Sequence, residues 1–353
     1  MNMEKNYDIK LAVSLYSYQD NYYFKRYDLE GCIAAAAGSG AEGFEVFADN
    51  MMPEWPYVSD EFADRFFGLQ ERYGIKAVCL DHFSDRAMWK NRQLTDDEMF
   101  ERGVMYLKLA KKLGIPIVKL LHQEHIARVP ISGYNLTTYE IIERMLPIAA
   151  DMGLMMALEV HTADGVGADY QQKYIELAEK TGLHNVGLMA DFSTFSYCMT
   201  TADIVDHCSR GAQREILEFL RSKQREAYFA GEPFEYESIR EAVEKMSPNE
   251  ATQSAINFAV RHGRGKPSFA QLYKELKEYA SRMVYVHGKF YDIDENGQVD
   301  DMDYPKIFEC LKEGGYKGYV ASEFEGNRRM NMVGWVDEIE YVRKHQALMR
   351  SLL

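Results

Sequence analysis

Four acidic or imidazole side chains stand at the same kind of place in this chain. Glu159 ends the apolar run Gly153-Leu-Met-Met-Ala-Leu158, and Asp191 ends Gly187-Leu-Met-Ala190. His287 ends Met283-Val-Tyr-Val286, and Glu323 ends Gly318-Tyr-Val-Ala-Ser322. Each run has the length and apolarity of a buried strand, so each delivers one polar group where the strand stops. Two glutamates, an aspartate and a histidine make a hard oxygen and nitrogen donor set suited to Mn²⁺ or Mg²⁺, with Co²⁺ or Zn²⁺ as other occupants. Three carboxylates exceed the charge of a divalent ion by one, which leaves one of them available as a base. His161 follows Glu159 by two residues and therefore shares its strand face, within reach of the same chemistry.

Further polar groups sit at other strand ends. Glu45 ends a second strand, Asp81-His82 a third and His122 a fourth, while Lys289 follows His287 by two residues. Glu45, His82, His122, Lys289 and Arg328 are candidate substrate-binding residues; packed polar side chains, or an exposed charge for Arg328, are the competing reading. Asp292 to Asp303 has the first ligand spacings and glycine of a calcium-binding loop, but Asp303 replaces the closing glutamate and the segment follows a strand, so a surface turn is expected. No Gly-rich dinucleotide fingerprint, phosphate-binding loop or nucleophile elbow is present.

The elements that position these groups alternate regularly. Strands are expected at 9–16, 43–47, 76–80 and 117–121, then in the four runs above. Helices are expected at 28–37, 60–73, 95–113, 139–152, 170–180, 304–312 and 335–353. Gly74, Gly114, Gly153, Gly182 and Gly314 fall just past helices, where the chain turns left-handed. Eight βα units with near-continuous apolar strands predict an α/β fold, a TIM (β/α)₈ barrel, over one domain of residues 1–353. An open doubly wound sheet is the alternative. In such a barrel the C-terminal strand ends form the active-site face. The Asp191-to-His287 interval exceeds its neighbours by about 60 residues. Residues 200–280, with helices expected at 210–226, 237–246 and 269–279, therefore form a helical insertion between strands six and seven, a lid or a subunit-docking surface, with a plain surface elaboration as the equal alternative.

With 353 residues and 46% hydrophobic content the chain can fill a large core, and its formal net charge of -14 works against a nucleic-acid surface. No apolar stretch approaches the roughly 20 residues that span a bilayer, and no hydrophobic signal segment opens the chain, so a cytoplasmic location is expected. Cys32, Cys79, Cys198, Cys208 and Cys310 are widely spaced and odd in number, which favours free thiols.

With eight βα units and Glu, Asp, His and Glu on strands five to eight, the sequence resembles the xylose isomerase-like barrels, the sugar phosphate isomerase/epimerase superfamily. That resemblance implies a divalent metal held by Glu159, Asp191, His287 and Glu323. Val13-Ser-Leu-Tyr-Ser-Tyr-Gln19, Glu159-Val-His161, the long insertion, His287-Gly-Lys-Phe-Tyr291 and Glu323-Phe-Glu-Gly326 are more narrowly similar to the catalytic α subunit of bacterial C-glycoside deglycosidases. This second resemblance implies a manganese-type ion, a 3-oxo-glucoside substrate, a small β subunit, and His161 as the base. Glu159 and Glu323 are further catalytic candidates, and the sequence itself does not decide between His161 and Glu323 as the base. The expected reaction is proton abstraction beside a sugar carbonyl followed by β-elimination of the aglycone. A keto-sugar epimerase or aldose-ketose isomerase is the alternative enzyme, a zinc endonuclease is disfavoured by the charge, and a scaffold subunit in a homo- or hetero-oligomer is the non-enzymatic alternative.

Overall fold

Eight parallel strands close into a barrel: β1 (Ile9–Ser14), β2 (Gly43–Phe47), β3 (Lys76–Asp85), β4 (Ile117–Gln123), β5 (Met155–Val160), β6 (Val186–Asp191), β7 (Met283–Phe290) and β8 (Gly318–Phe324). Around the ring they run in sequence order, with β8 pairing back onto β1 through Ile9↔Gly318 to Val13↔Ser322. This computed structural model describes residues 8–86, 91–123, 125–126, 129–130, 136–160, 165–263, 267–327 and 336–353. The expected TIM barrel is thus the observed fold. Strand β1 stops at Ser14, short of the expected Tyr16, because Leu15–Tyr18 tighten into a 3₁₀ turn. Strands β3, β4 and β7 run longer than expected, because parallel neighbours extend their ladders, as Phe83↔Leu121 does between β3 and β4.

Local chemistry explains where the helices begin and end. Helix α1 (Leu29–Gly38) is capped by Asp28, whose carboxylate accepts from the Gly31 amide, as expected from sequence. Helix α2 (Asp60–Tyr73) ends where Gly74 turns left-handed at φ 63°. Helix α3 (Asp96–Lys112) opens with a reciprocal capping box between Thr95 and Glu98. Helices α4 (Leu136–Met152) and α5 (Asp169–Thr181) complete the first five repeats, and Gly182 ends α5.

Between β6 and β7 lie α6 (Thr201–Ser209), α7 (Arg214–Ala230), α8 (Arg240–Lys245), α9 (Glu250–Gly263) and α10 (Phe269–Tyr279). The first four surround an apolar cluster of their own that includes Ile204, Ile216, Leu220, Val243 and Ile256. Leu272 and Leu276 of α10 instead join the main core. Arg221 of α7 pairs with Asp300 in the loop after β7, tying this segment to the C-terminal rim of the barrel. Helices α11 (Tyr304–Glu313) and α12 (Glu338–Ser351) close the outer ring. No described helix is long and apolar enough to cross a membrane.

The barrel interior is layered. Ala12, Cys79, Ala157, Met189, Tyr285 and Ala321 form a buried apolar cluster separate from the core between strands and helices. Because strand side chains alternate, the residue two positions further on each strand also points inward, one layer nearer the C-terminal ends.

A polar chain outside the lumen holds β7 and β8 against α11 and α12. His345 Nδ1 is 2.7 Å from Ser322 Oγ and Nε2 is 2.7 Å from Tyr304 Oη. The Tyr304 hydroxyl donates to the Lys289 carbonyl, so His345 Nε2 must donate to Tyr304, and Nδ1 must accept from Ser322. Burial holds the imidazole down at about 3 against its ordinary 6.5, so the ring is neutral in the folded protein. The unfolded chain takes up a proton below 6.5 that the folded chain refuses until about 3, so this group removes stability as pH falls through that window. We expect His345→Gln to flatten the loss of stability between pH 6.5 and 4, read as the shift in urea midpoint with pH; an unchanged slope would show that the group does not contribute.

Candidate metal centre

One layer above the apolar floor, each strand contributes a polar side chain to the lumen: Ser14, Glu45, Asp81, Lys119, Glu159, Asp191, His287 and Glu323, all buried. Register places several side by side, with Asp81 opposite Lys119 and Asp191 opposite His287. Among the described residues, ligand atoms of Glu159, Asp191, His287 and Glu323 lie within 4.8 Å of one another, so the four strand-end residues expected from sequence do converge.

His287 is the hub. Its Nδ1 lies 2.8 Å from Glu159 Oε1, 2.7 Å from Glu323 Oε2 and 3.9 Å from Asp191 Oδ2. Its Nε2 faces Glu45, at 2.9 Å from Oε2 and 3.2 Å from Oε1. Two lysines flank the cluster. Lys119 Nζ sits 3.0 Å from both Asp81 Oδ1 and Glu159 Oε2. Lys289 Nζ sits 2.8 Å from Glu323 Oε2, 3.0 Å from Glu325 Oε2 and 3.5 Å from Asp191 Oδ2. Glu325 in turn accepts from the Tyr16 hydroxyl at 3.0 Å.

The electrostatics follow from burial and neighbours. Burial pushes Asp81 up to about 7 and raises Asp191. Burial would push Glu323 the same way, yet the positive charges of His287 and Lys289 hold it well below the usual carboxylate range. For His287, burial favours the neutral ring, but Glu323, Glu45 and Glu159 outweigh it and keep the imidazole protonated well above its ordinary range. Lys119 and Lys289 are likewise held charged by their carboxylates against the cost of burial.

The donor set fits a divalent cation on two counts. Five buried carboxylates, Glu45, Asp81, Glu159, Asp191 and Glu323, face Lys119, Lys289 and His287, so negative charge is in excess even with the imidazole protonated. In addition, Asp191 Oδ1 accepts from the Ser193 amide at 2.7 Å, while its buried Oδ2 makes no hydrogen bond and has the Lys289 ammonium only at 3.5 Å. A buried carboxylate oxygen with so long an ion pair is incompletely compensated, and a divalent ion within the set would complete it.

The remaining expected site residues fall elsewhere. His82 does not face the lumen: Asp81 and His82 are consecutive on β3, so only one can, and the His82 ring packs edge-on against Tyr106 of α3 at 4.3 Å. This corrects its expected substrate contact. Glu45 is fully buried against His287 and Ser14, with Ser14 Oγ donating to Oε1 at 2.7 Å, so its carboxylate serves other protein groups. Lys289 does lie beside the donor set, on its mouthward side. His161 and Arg328, and the side chain of His122, lie outside the described residues. Lys119 was missed, although a lone lysine inside the apolar run Ile117-Val-Lys-Leu-Leu121 signals a buried partner.

Comparison with known proteins agrees with the barrel fold. The family described as the xylose isomerase-like TIM barrel matches residues 33–351. The chain is 27% identical over 349 residues to a C-glycoside deglycosidase alpha subunit of Arthrobacter globiformis, covering 98% of this chain and 92% of that protein. It is 25% identical over 327 residues to a 3'-dehydrocarminate deglycosidase alpha subunit of a Microbacterium species, covering 90% and 88%. Among solved structures it is similar to the IOLI protein with a bound zinc atom, at a TM-score of 0.56 and 14% identity over 98% of this chain and 99% of that one.

The protein stripped with a chelator should take up one divalent ion per chain. Asp191→Asn should weaken uptake by at least about 100-fold, the upper end of what losing an outer hydrogen-bond partner costs. Titration calorimetry with Mn²⁺ and metal analysis after dialysis check both, and a wild-type protein that binds no ion would remove the centre.

Proposed function

The chain belongs to the xylose isomerase-like TIM barrel family, and from there we propose that it is a divalent-metal-dependent carbohydrate enzyme, a lyase that releases the aglycone from 3-oxo-glucosides by β-elimination. The observation that carries the metal-dependent reading is the buried convergence of Glu159, Asp191, His287 and Glu323 at the C-terminal ends of adjacent strands. The lyase outcome is supported by the names of the deglycosidase relatives, which align over nearly the whole chain.

Glu159, Asp191, His287 and Glu323 would hold the ion. When bound, a divalent ion there supplies Lewis-acid polarisation of a sugar carbonyl, which acidifies the neighbouring C–H. Manganese is the proposed ion. His161, two residues beyond Glu159 in the sequence, is the proposed base, with Glu159 and Glu323 as the proposed catalytic carboxylates. It would take the proton from C2 of a 3-oxo sugar. The electron pair then forms the C1–C2 double bond as the bond from C1 to the aglycone breaks, and the departing aglycone takes up a proton from the imidazolium. Lys289, held by Glu325 and lying mouthward of the donor set, would donate to a sugar oxygen.

The relatives are named alpha subunits, so a small partner subunit is proposed for this chain as well. Residues 200–280, with their own apolar cluster and their tie to Asp300, would be its docking surface. The alternative outcome from the same site is epimerisation or isomerisation, in which the abstracted proton returns to carbon.

Incubation of the protein, with any copurifying partner, with a 3-oxo-C-glucoside and Mn²⁺ should release free aglycone, and chelation should abolish release. His161→Asn should lower the rate by about 10²–10⁴-fold with metal content unchanged. Intact substrate would overturn the lyase reading, and solvent deuterium entering a recovered, unfragmented sugar would replace it with the epimerase reading.

A further inference from the structure

Glu45 has no role in the reaction outlined above, yet it makes a fully enclosed polar contact in the lumen. It lies on β2 and is 0% exposed, so no substrate reaches it. Its carboxylate crosses the lumen to His287 on β7, which β1 and β8 separate from β2 around the ring. Oε1 is anchored by the Ser14 hydroxyl at 2.7 Å, so the carboxylate is itself held in place.

The two nitrogens of His287 therefore have different surroundings. Nδ1 faces Glu159, Glu323 and Asp191, the other three members of the donor set. Nε2 faces Glu45, at 2.9 Å and 3.2 Å from its two oxygens. A ring whose Nε2 proton is committed to a buried carboxylate presents the Nδ1 lone pair once the Nδ1 proton is displaced. A carboxylate behind a ligating histidine also fixes the ring plane and makes the ring a stronger donor.

We propose that Glu45, anchored by Ser14, is a positioning residue that fixes the ring and tautomer of His287 so that Nδ1 serves as the metal ligand. This rests on the metal-binding part of the proposed function. It makes ion affinity depend on a side chain that touches neither the ion nor the substrate.

The test uses Zn²⁺, which is diamagnetic, titrated into chelator-stripped protein against a competing chelator. Glu45→Leu should weaken binding by about 10–100-fold. Glu45→Gln should weaken it less, because the amide oxygen still accepts from Nε2–H; circular dichroism checks that both variants are folded. Independently of either variant, long-range ¹⁵N–¹H spectra of histidine-labelled, zinc-loaded wild-type protein should show a His287 ring with zinc on Nδ1 and a proton on Nε2, assigned by its loss in His287→Gln. A merely structural role for Glu45 would not set that pattern. Zinc on Nε2, or a folded Glu45→Leu protein with wild-type affinity, would overturn the inference while leaving the metal centre standing. A wild-type protein that binds no zinc or manganese would overturn both.

Discussion

The structure turns on an imbalance of buried charge. Carboxylates from β2, β3, β5, β6 and β8 point into a lumen where Lys119, Lys289 and a protonated His287 are the balancing cations. Taking a carboxylate out of water costs several kcal/mol after relaxation, roughly, and only close partners recover it. The lysines are therefore part of the architecture. Lys119 bridges Asp81 and Glu159 and so links β3 to β5, while Lys289 bridges Asp191, Glu323 and Glu325 and so links β8 to β6 and to the loop after β8. A cation in the donor set would complete the same balance and satisfy the Asp191 oxygen that makes no hydrogen bond and only a long ion pair to Lys289.

Much of this was legible in the sequence because strand ends in a parallel barrel have a simple signature. An apolar run buried on both faces cannot carry a charge in its middle without a partner, so the point where a run gives way to Glu, Asp or His marks the rim. That logic identified Glu159, Asp191, His287 and Glu323, along with the order of strands that brings them together. The same alternation of inward and outward side chains makes Asp81, and not its neighbour His82, the lumen residue of β3. Parity along a strand is local, but its absolute phase is set by the closed ring, so sequence alone does not say which of Asp81 and His82 faces the lumen.

Glu45 shows a different limit. At the strand end it has the same local pattern as Glu159, and nothing nearby tells a substrate-facing carboxylate from one that supports a histidine. The distinction comes only with the closed ring, which brings Glu45 within hydrogen-bond reach of His287 Nε2 and Ser14 Oγ. Lys119 escaped notice for a related reason: its partners lie on strands far off in sequence, and only ring closure places Asp81 on one side and Glu159 on the other. The helices between β6 and β7 were expected in number and position only approximately, because a polar, helix-rich stretch holds no strand pattern to fix its phase.

The apolar floor of Ala12, Cys79, Ala157, Met189, Tyr285 and Ala321 has a consequence for traffic. Mostly small side chains, filled in by Tyr285 and Met189, pack the lumen below the polar ring, so among the described residues it is shut from underneath. A molecule bound at the proposed centre would then arrive and depart by the mouth, taking turns.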